Sequence, residues 1–454
     1  MNVRTEGVHQ MVRFRSAAAF LAALALLFSG ACAEDEVSYS MEMEDVSIEE
    51  LIPGTASDDD VTLAGETEDP AADGVFTPSY GSPWDHDLGS SYWTTPMDIT
   101  DTEAVWNMLM EPITIVDIGN VDGLSRSQLT KQNLYMYREP DKSSKIVGEI
   151  TNLSQGLRVI EHLDNGWSLV ECYSSSFISK PATQIQAWNI LVSGYIESKY
   201  LKQVEPTDKL ALVVDKLAQH MYVFSEGEMI ADLLCSTGLV QWNGKKYQPY
   251  NETRSGEFLL INYTGQLKSD RMLCDYAIRF NAGDEIHEVP YVPNADGTHN
   301  YKSTEKDLGK KKSHGCIRVQ RFPNPDGINM AWIAHKVRGE KLIGKVKIVI
   351  WEDWQGRQLP VPDDDTVLYY NPNKGQYYHR FDHCKNGKGI TFTPFTYGEL
   401  EEGGFAKLTA CPYCVPARRK AEIDEINALY APGGDHEELL NSLRKDYYEY
   451  LAQE

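Results

Sequence analysis

Residues 311–320 read KKSHGCIRVQ, with Cys316 between Gly315 and Ile317, His314 two positions ahead and Arg318 two positions behind. A thiol attacks a carbonyl only as the thiolate, so it needs an imidazole to take its proton and backbone N–H groups aimed at the oxyanion that forms. Gly315 lets the chain turn tightly enough for the second requirement. His314 does not meet the first well, because neighbours along an extended chain point to opposite faces. His287, at the end of the strand-like run AIRFNAGDEIHEVPY, is the better base. His299 lies closer in sequence, but its setting, DGTHNYK, reads as a polar loop. The plain alternative is a cysteine packed as a small hydrophobe in a strand.

A second group of residues suits a different chemistry. His379 and Cys384 are followed by Cys411 and Cys414, the last two in a C-x-x-C knuckle. Two thiolates two residues apart grip one ion, and a distant His/Cys pair completes a tetrahedral set of the kind that holds structural zinc. His383 offers a substitute ligand. All four positions would be filled by protein, which leaves no open site for catalysis. The competing reading is a disulfide from Cys411 to Cys384 or Cys414. Cys235 and Cys274 fall on strand-like runs and can be read as a pair or as two buried thiols, while Cys172 reads as core.

The elements that must position these residues are mostly strands. LALVVDKLAQHMYVF alternates into strand, turn and strand; MIADLLCSTGL, GEFLLINY and LCDYAIRF continue the pattern, and GKVKIVIW sets Val346, Ile348 and Ile350 on one face. GINMAWIAHKVRG is the one helical pattern in this stretch. Upstream, NLYMYREPDKSSKIVGEI reads as two strands about a Pro-Asp turn, and QGLRVIEHLDNGWSLVECY as a hairpin with Asn165-Gly166 suited to a type I′ turn. GYIESKYL closes that set, after a long insert, SSSFISKPATQIQAWNILVS. GITFTPFTYGEL predicts a small β element beside the cysteines. Ile423, Ile426 and Leu429 form a helical stripe in the tail.

IHEVPY followed by LGKKKSHGCIRV resembles the catalytic domain of the L,D-transpeptidases of the YkuD type, and LALVVDKLAQHMYVF, CSTGL and TRSGEF are similar to that family's opening strands. The resemblance spans about 140 residues of the 454. It implies that Cys316 attacks a peptide carbonyl and carries the acyl group. It implies further that His287 is the base, oriented by the carbonyl of Glu288, and that His314 and the N–H groups around Gly315 and Cys316 support the oxyanion. Arg318 would brace the loop or meet a substrate carboxylate, and Ser313 would hold the loop by hydrogen bonds. The implied substrates are peptidoglycan stem peptides: D-alanine leaves, and an amine on a second stem takes the acyl group to link two third residues. Water in place of the amine gives an L,D-carboxypeptidase, and an inactive domain leaves a cell-wall-binding protein. The implied chemistry uses no cofactor. Glu288 stands where the family has Gly or Ser, and the interval from His287 to Cys316 is long. The preceding strands resemble a bacterial SH3-like domain, with Arg138, Gly148, Gly156, Trp167, Gly194 and Tyr195 at matching places. The C-terminal cysteines resemble small zinc-binding modules.

Together these readings give a mainly β chain. A signal peptide over 1–33 precedes an acidic tether over 34–90 and an SH3-like β-barrel over 91–205. A β-sandwich catalytic domain follows over 206–352, then a small α+β Cys/His module over 353–418 and a helical tail over 419–454. The net charge is −24. From residue 34 to 125 there are 23 Asp or Glu and no Lys or Arg, so the rest is near neutral and offers no basic face for nucleic acid. The apolar run SAAAFLAALALLF after Arg13 and Arg15 suits a signal-peptide core. It ends in SGACAED, read either as a lipobox that makes Cys32 the lipidated, membrane-anchored N-terminus or as an Ala-x-Ala cleavage site that releases a soluble protein. Both place the protein in the cell envelope.

Overall fold

In the computed structural model, the residues described are 90–91, 95–175 and 187–452, apart from 243, 245–246, 354–356, 374, 385 and 387–388. Cys32, the signal-peptide run, nearly all of the acidic stretch and the centre of the long insert fall outside them. The protein is mainly β, with three larger sheets in one compact unit.

The first sheet has seven antiparallel strands: β1 (Ile113–Val116), β2 (Asn133–Tyr137), β3 (Ile146–Thr151), β4 (Gly156–His162), β5 (Trp167–Tyr173), β6 (Leu191–Glu197) and β7 (Leu201–Val204), in the order β3-β2-β6-β5-β4-β1-β7. Met136, Val147, Val170, Cys172 and Ile196 fill its core. The β4–β5 turn departs from the predicted type I′ form. Only Gly166 has a positive φ, +82°, whereas type I′ needs it at Asn165 as well. The loop is one step wider, closed by the Leu163 N–H donating to the Trp167 carbonyl at 2.8 Å, and glycine is required at one position only.

The second sheet has nine strands: β8 (Ala211–Asp215), β9 (His220–Ser225), β10 (Glu228–Ser236), β11 (Gly256–Leu259), β12 (Asn262–Ser269), β13 (Met272–Asn281), β14 (Asp284–Glu288), β15 (Ile317–Val319) and β16 (Lys347–Trp351). Their order is β11-β16-β8-β9-β10-β15-β14-β13-β12. Strand β8 is buried along its whole length because both of its faces are covered. Leu212 and Val214 face one core, and Ala211 and Val213 face another, closed by helix α1 (Thr102–Met110) through Val105, Met108 and Leu109. Strand β16 divides likewise, with Ile348 and Ile350 in the first core and Val349 and Trp351 in the second. The first core receives side chains from both halves of the sheet and from helix α2 (Met330–Gly339). That helix begins where the Asn329 side chain accepts the Trp332 N–H at 3.0 Å and buries Met330, Ile333, Ala334 and Val337, the i, i+3, i+4, i+7 stripe of one helical face.

The third sheet is small: β17 (Val367–Tyr370), β18 (Tyr377–His379), β19 (Thr393–Thr396) and β20 (Thr409–Ala410), ordered β19-β17-β18-β20. Helices α3 (Lys420–Leu429) and α4 (Asp435–Ala452) follow. The tail does not stand apart. Tyr447 and Leu451 of α4 enter the core of the first sheet, the Tyr447 hydroxyl donates to the Val147 carbonyl at 2.6 Å, and the Tyr450 hydroxyl to that of Ile146 at 2.8 Å. Of the predicted stripe, Ile423 is buried while Leu429 remains exposed.

Cys235 and Cys274 are separate buried thiols, so the paired reading does not hold. Cys172 is core and lies 3.7 Å from the Met136 sulfur.

This docking has a measurable consequence. Tyr447→Phe should lower unfolding stability by about 1 kcal/mol, the size of one hydrogen bond, and Tyr447→Ala by about 3–5 kcal/mol through the lost ring and cavity. Denaturant titration followed by tryptophan fluorescence reads both; equal midpoints for all three proteins would show that the helix does not hold the sheet.

Candidate functional site

The long-range placement of the site rests on two short strands. β14 and β15 pair in parallel, with Ile286 opposite Ile317, His287 opposite Arg318 and Glu288 opposite Val319. β15 also pairs with β10, Cys235 opposite Val319 and Ser236 opposite Arg318. The 28 residues between His287 and Cys316 therefore close on themselves, and His287 and the Cys316 loop become neighbours across one ladder. Cys316, partly buried, immediately precedes β15 and packs against the cluster of Leu267, Cys274 and Ala277.

Several groups hold the loop itself. Gly315 has φ +119°, and a Cβ there would stand 2.5 Å from Asp284 Oδ1; both facts confine the position to glycine. Ser313, buried, donates its hydroxyl to the Cys316 carbonyl and accepts the Gly315 N–H at 3.3 Å. Thr253 donates to the Gly315 carbonyl at 2.8 Å and accepts the Gly238 N–H at 2.8 Å. Asp284 is held by Arg254 at 2.8 Å, and the Arg254 guanidinium lies over the Trp188 ring at 4.0 Å. Thr253, Arg254 and Asp284 were missed as site residues. TRSGEF was legible as a strand entry, but nothing in it says that its threonine and arginine turn toward a loop sixty residues away.

His287 is buried, and its Nδ1 lies 2.6 Å from the Glu288 carbonyl oxygen. A carbonyl only accepts, so Nδ1 carries the proton and Nε2 keeps its lone pair. Burial pulls the His287 pKa down to about 4; the carbonyl bond works against this, and the nearby Arg318 cation adds to it. Burial, and then the charge of Asp284, push the Cys316 thiol well up. At neutral pH the resting pair is thus thiol and neutral imidazole. His314 sits on the exposed side of the loop, its pKa lowered by burial and by Arg318 and Lys312. Arg318, nearly buried, has no carboxylate partner among the described residues. His299 is exposed and stacked on Tyr291, ring centroids 3.8 Å apart. The long interval is not loose: Glu288 accepts the Tyr301 hydroxyl at 3.1 Å, and Arg321 lies over the Tyr301 ring at 4.4 Å while pairing with Glu305 at 2.8 Å.

The second group converges as well. His379, Cys384, Cys411 and Cys414 are all buried, with their ligand atoms within 4.8 Å of one another. Cys384 and Cys411 sulfurs are 3.7 Å apart, as are Cys414 Sγ and His379 Nδ1. Tetrahedral ligands about 2.3 Å from one ion stand about 3.8 Å from each other, whereas a disulfide needs about 2 Å. The Arg380 backbone N–H donates to Cys414 Sγ at 3.3 Å and the Asn386 side-chain amide to Cys411 Sγ at 3.6 Å, contacts of the kind that favour thiolate sulfur. Hydrogen bonds from Cys384 and Cys414 drive Cys411 toward the thiolate, and Cys384 is pushed up to about 11 by the same sharing. His383 is exposed, bonded to Asp382 at 2.8 Å, and does not join the cluster.

Residues 209–348 match the family model of the YkuD L,D-transpeptidase catalytic domain. Similar solved structures include an L,D-transpeptidase from Mycobacterium smegmatis at 12% identity, covering 54% of this chain and 92% of that one with a TM-score of 0.24. Another is from Mycobacterium tuberculosis H37Rv at 16% identity, covering 40% and 90%, TM-score 0.23. A third, residues 123–326 of the enzyme from Xylanimonas cellulosilytica DSM 15894, is 13% identical, covering 32% of this chain and 61% of that one, TM-score 0.22. No curated protein matches the sequence. On the family match, residues 209–348 of this chain are an L,D-transpeptidase catalytic domain of the YkuD family.

Proposed function

We propose that this protein is a peptidoglycan L,D-transpeptidase acting in the cell envelope through a Cys316 thioester. The observation that carries the reading is the β14–β15 ladder, which sets a buried imidazole with its Nδ1 proton already committed beside the loop bearing Cys316. Cys316 Sγ attacks the carbonyl carbon of the third stem residue as its proton passes to His287 Nε2. The oxyanion is met by the N–H groups around Gly315 and Cys316 and by His314. Collapse breaks the peptide bond, and D-alanine leaves with the proton from His287. The amine of a second stem then attacks the thioester, gives its proton to His287 and restores the thiol. No step draws on a cofactor. Arg318, a cation beside His287 with no carboxylate partner among the described residues, suits a carboxylate on the donor stem.

The first sheet serves as an SH3-like wall-docking element in this reading. His379, Cys384, Cys411 and Cys414 hold a structural zinc ion, supported by the fit of the donor set and its N–H···S contacts. Zinc would cross-link β18, the segment after it and the 411–414 knuckle, and would take no part in the bond making and breaking of acyl transfer. Elemental analysis of the purified protein should find about one zinc per chain, reduced at least several-fold in Cys411→Ser; metal-free protein with a Cys384–Cys411 disulfide would reject the site.

Incubation with tetrapeptide muropeptides, read by mass spectrometry, tests the activity. Dimers lacking one D-alanine should form and should disappear in Cys316→Ala. Tripeptides alone would make the enzyme a carboxypeptidase, with water as acceptor. Unchanged muropeptides in both proteins would leave a wall-binding protein.

The pH profile follows from His287. Its neutral form is the base, so kcat/KM should hold down to about pH 5 and fall through an acid limb near pH 4, below the usual 6.5 of histidine. With the thiol raised, no gain should appear near pH 8.5, where an ordinary cysteine ionises. Stability follows the same sign. The unfolded chain binds the proton first, so the contribution of a neutral buried His287 is complete above pH 6.5. It is lost progressively as pH falls from 6.5 to about 4, by about 3 kcal/mol in all. A limb at 6.5 would mean that the imidazole is not desolvated.

A further inference from the structure

The metal cluster and the nucleophile loop lie on different parts of the chain, and two contacts join them. The first is Arg418, four residues after Cys414. One nitrogen of its guanidinium donates to the carbonyls of Gly309 and Ala218, both at 2.9 Å. Gly309 opens the limb that runs into the Cys316 loop, with φ +80° and its own N–H on the Cys235 carbonyl at 2.7 Å. A Cβ at Gly309 would stand 3.4 Å from that same guanidinium, so the limb is pressed against Arg418. The second contact is Tyr413, between the two cysteines of the knuckle. Its ring stacks on Phe322, centroids 4.3 Å apart and planes 28° from parallel. Phe322 ends the other limb, just past β15.

The Phe322 contact continues inward. Arg321 lies over the Phe322 ring at 3.8 Å and over the Tyr301 ring at 4.4 Å. Tyr301 donates to the Glu288 carboxylate, and the Glu288 carbonyl orients His287. Arg380, beside the ligand His379, pairs with Asp232 of β10 at 2.9 Å, so the module is also anchored to the sheet that carries β15.

We propose that the metal-organised knuckle clamps both limbs of the nucleophile loop, with Tyr413 and Arg418 as positioning residues for Cys316. The inference rests on the transpeptidase and zinc readings above, and its logic is geometric. A tetrahedral ion fixes the 411–414 backbone, which fixes where the Tyr413 ring and the Arg418 guanidinium lie. Those in turn fix the entry and exit of a loop whose misplacement by an ångström would cost acylation rate. Without the ion, four buried ligand groups have no common centre and the knuckle loses its restraint.

Hydrogen exchange of the full-length, zinc-loaded protein, read by mass spectrometry, tests the clamp independently of turnover. Tyr413→Ala should speed exchange in peptides covering 309–322 at least tenfold and leave 211–225 unchanged. Tyr413→Phe, which keeps the ring, should match the parent. Chelation should reproduce the Tyr413→Ala pattern, and added zinc should reverse it. Phe322→Leu, altered on the other side of the stack, should give the same local effect. Acylation of Cys316 by imipenem in the same samples should slow at least tenfold with Tyr413→Ala and after chelation, with Tyr413→Phe within twofold of the parent. Unchanged exchange over 309–322 in a zinc-retaining Tyr413→Ala protein would overturn the clamp. So would loosening spread equally over 211–225. A parent protein that imipenem does not acylate would count against the transpeptidase reading, while the exchange data still decide the clamp.

Discussion

The position of the Cys316 loop depends on a buried set of charges. Lys311, five residues before Cys316, places its ammonium 2.6 Å from Asp353 and 2.9 Å from Glu252. Lys216, fully buried, reaches Glu252 at 2.8 Å and Asp353 at 3.5 Å. Burial by itself would drive Lys311 toward neutrality, but Asp353 and Glu252 outweigh it and raise its pKa; Asp353 is held well below the usual carboxylate range by Lys311 and Lys216 against the same burial. Two cations and two anions balance. Such a set adds little net stability over a packed apolar one, yet removing any member strands a charge in the interior. Its effect is specificity of placement, because the loop has one position in which all four groups are satisfied.

The same charges join the parts of the chain. Glu252 also offers its carbonyl to the Trp188 indole at 2.9 Å, and Tyr430 donates to Asp353 at 2.9 Å. Trp188 comes from the end of the insert before β6, and Tyr430 from the end of α3. First sheet, catalytic sheet and C-terminal helices thus meet behind the Cys316 loop. The interior of this junction is polar and its four charges balance, whereas the Cys316 thiol and the His287 imidazole in front of it are neutral. A thiol and an imidazole that are both uncharged at rest avoid the cost of an ion pair in a buried site. In the proposed reaction charge would develop only as the carbonyl is attacked, where oriented N–H groups act on it most strongly.

How much of this was legible depends on the range of the interaction. Strands whose faces are both apolar, such as β8 and β16, and the α2 stripe of Met330, Ile333 and Val337 are written in local periodicity, and they are where the sequence places them. The residues proposed to carry chemistry stand out in the sequence because few alternatives exist for a Cys-x-x-Cys or a His-Gly-Cys. Hydrogen bonds that reach far along the chain were not. Lys311 sits in a KKK run that carries no local mark of burial, and only Glu252 and Asp353, distant in sequence, hold it inside. Thr253 and Asp284 carry no local mark of the glycine they brace. Asn165-Gly166 misled for the opposite reason: the dipeptide permits a type I′ turn, but the strand register leaves room for a wider loop that uses only the glycine. The tail was read from the apolar stripe of α3 alone, whereas α4 is anchored to the first sheet through the hydroxyls of Tyr447 and Tyr450.

Glu288 shows how a departure from the family pattern can be absorbed. The imidazole is oriented by the backbone carbonyl of this residue, an atom that every side chain leaves in place, so the change from Gly or Ser to Glu does not touch the tautomer of His287. The side chain is free for another task. Its carboxylate, pushed up by burial and restrained by the Tyr301 hydroxyl, ties down the long segment between His287 and Cys316. Arg321 covers the other face of Tyr301 and pairs with Glu305 in the same segment. The two unusual features of this sequence, the acidic residue after the base and the lengthened interval, are therefore one adaptation. A longer connection would leave His287 and Cys316 joined by a slack chain; Glu288 ties that segment down at the residue next to His287, beside the ladder that sets His287 against the Cys316 loop.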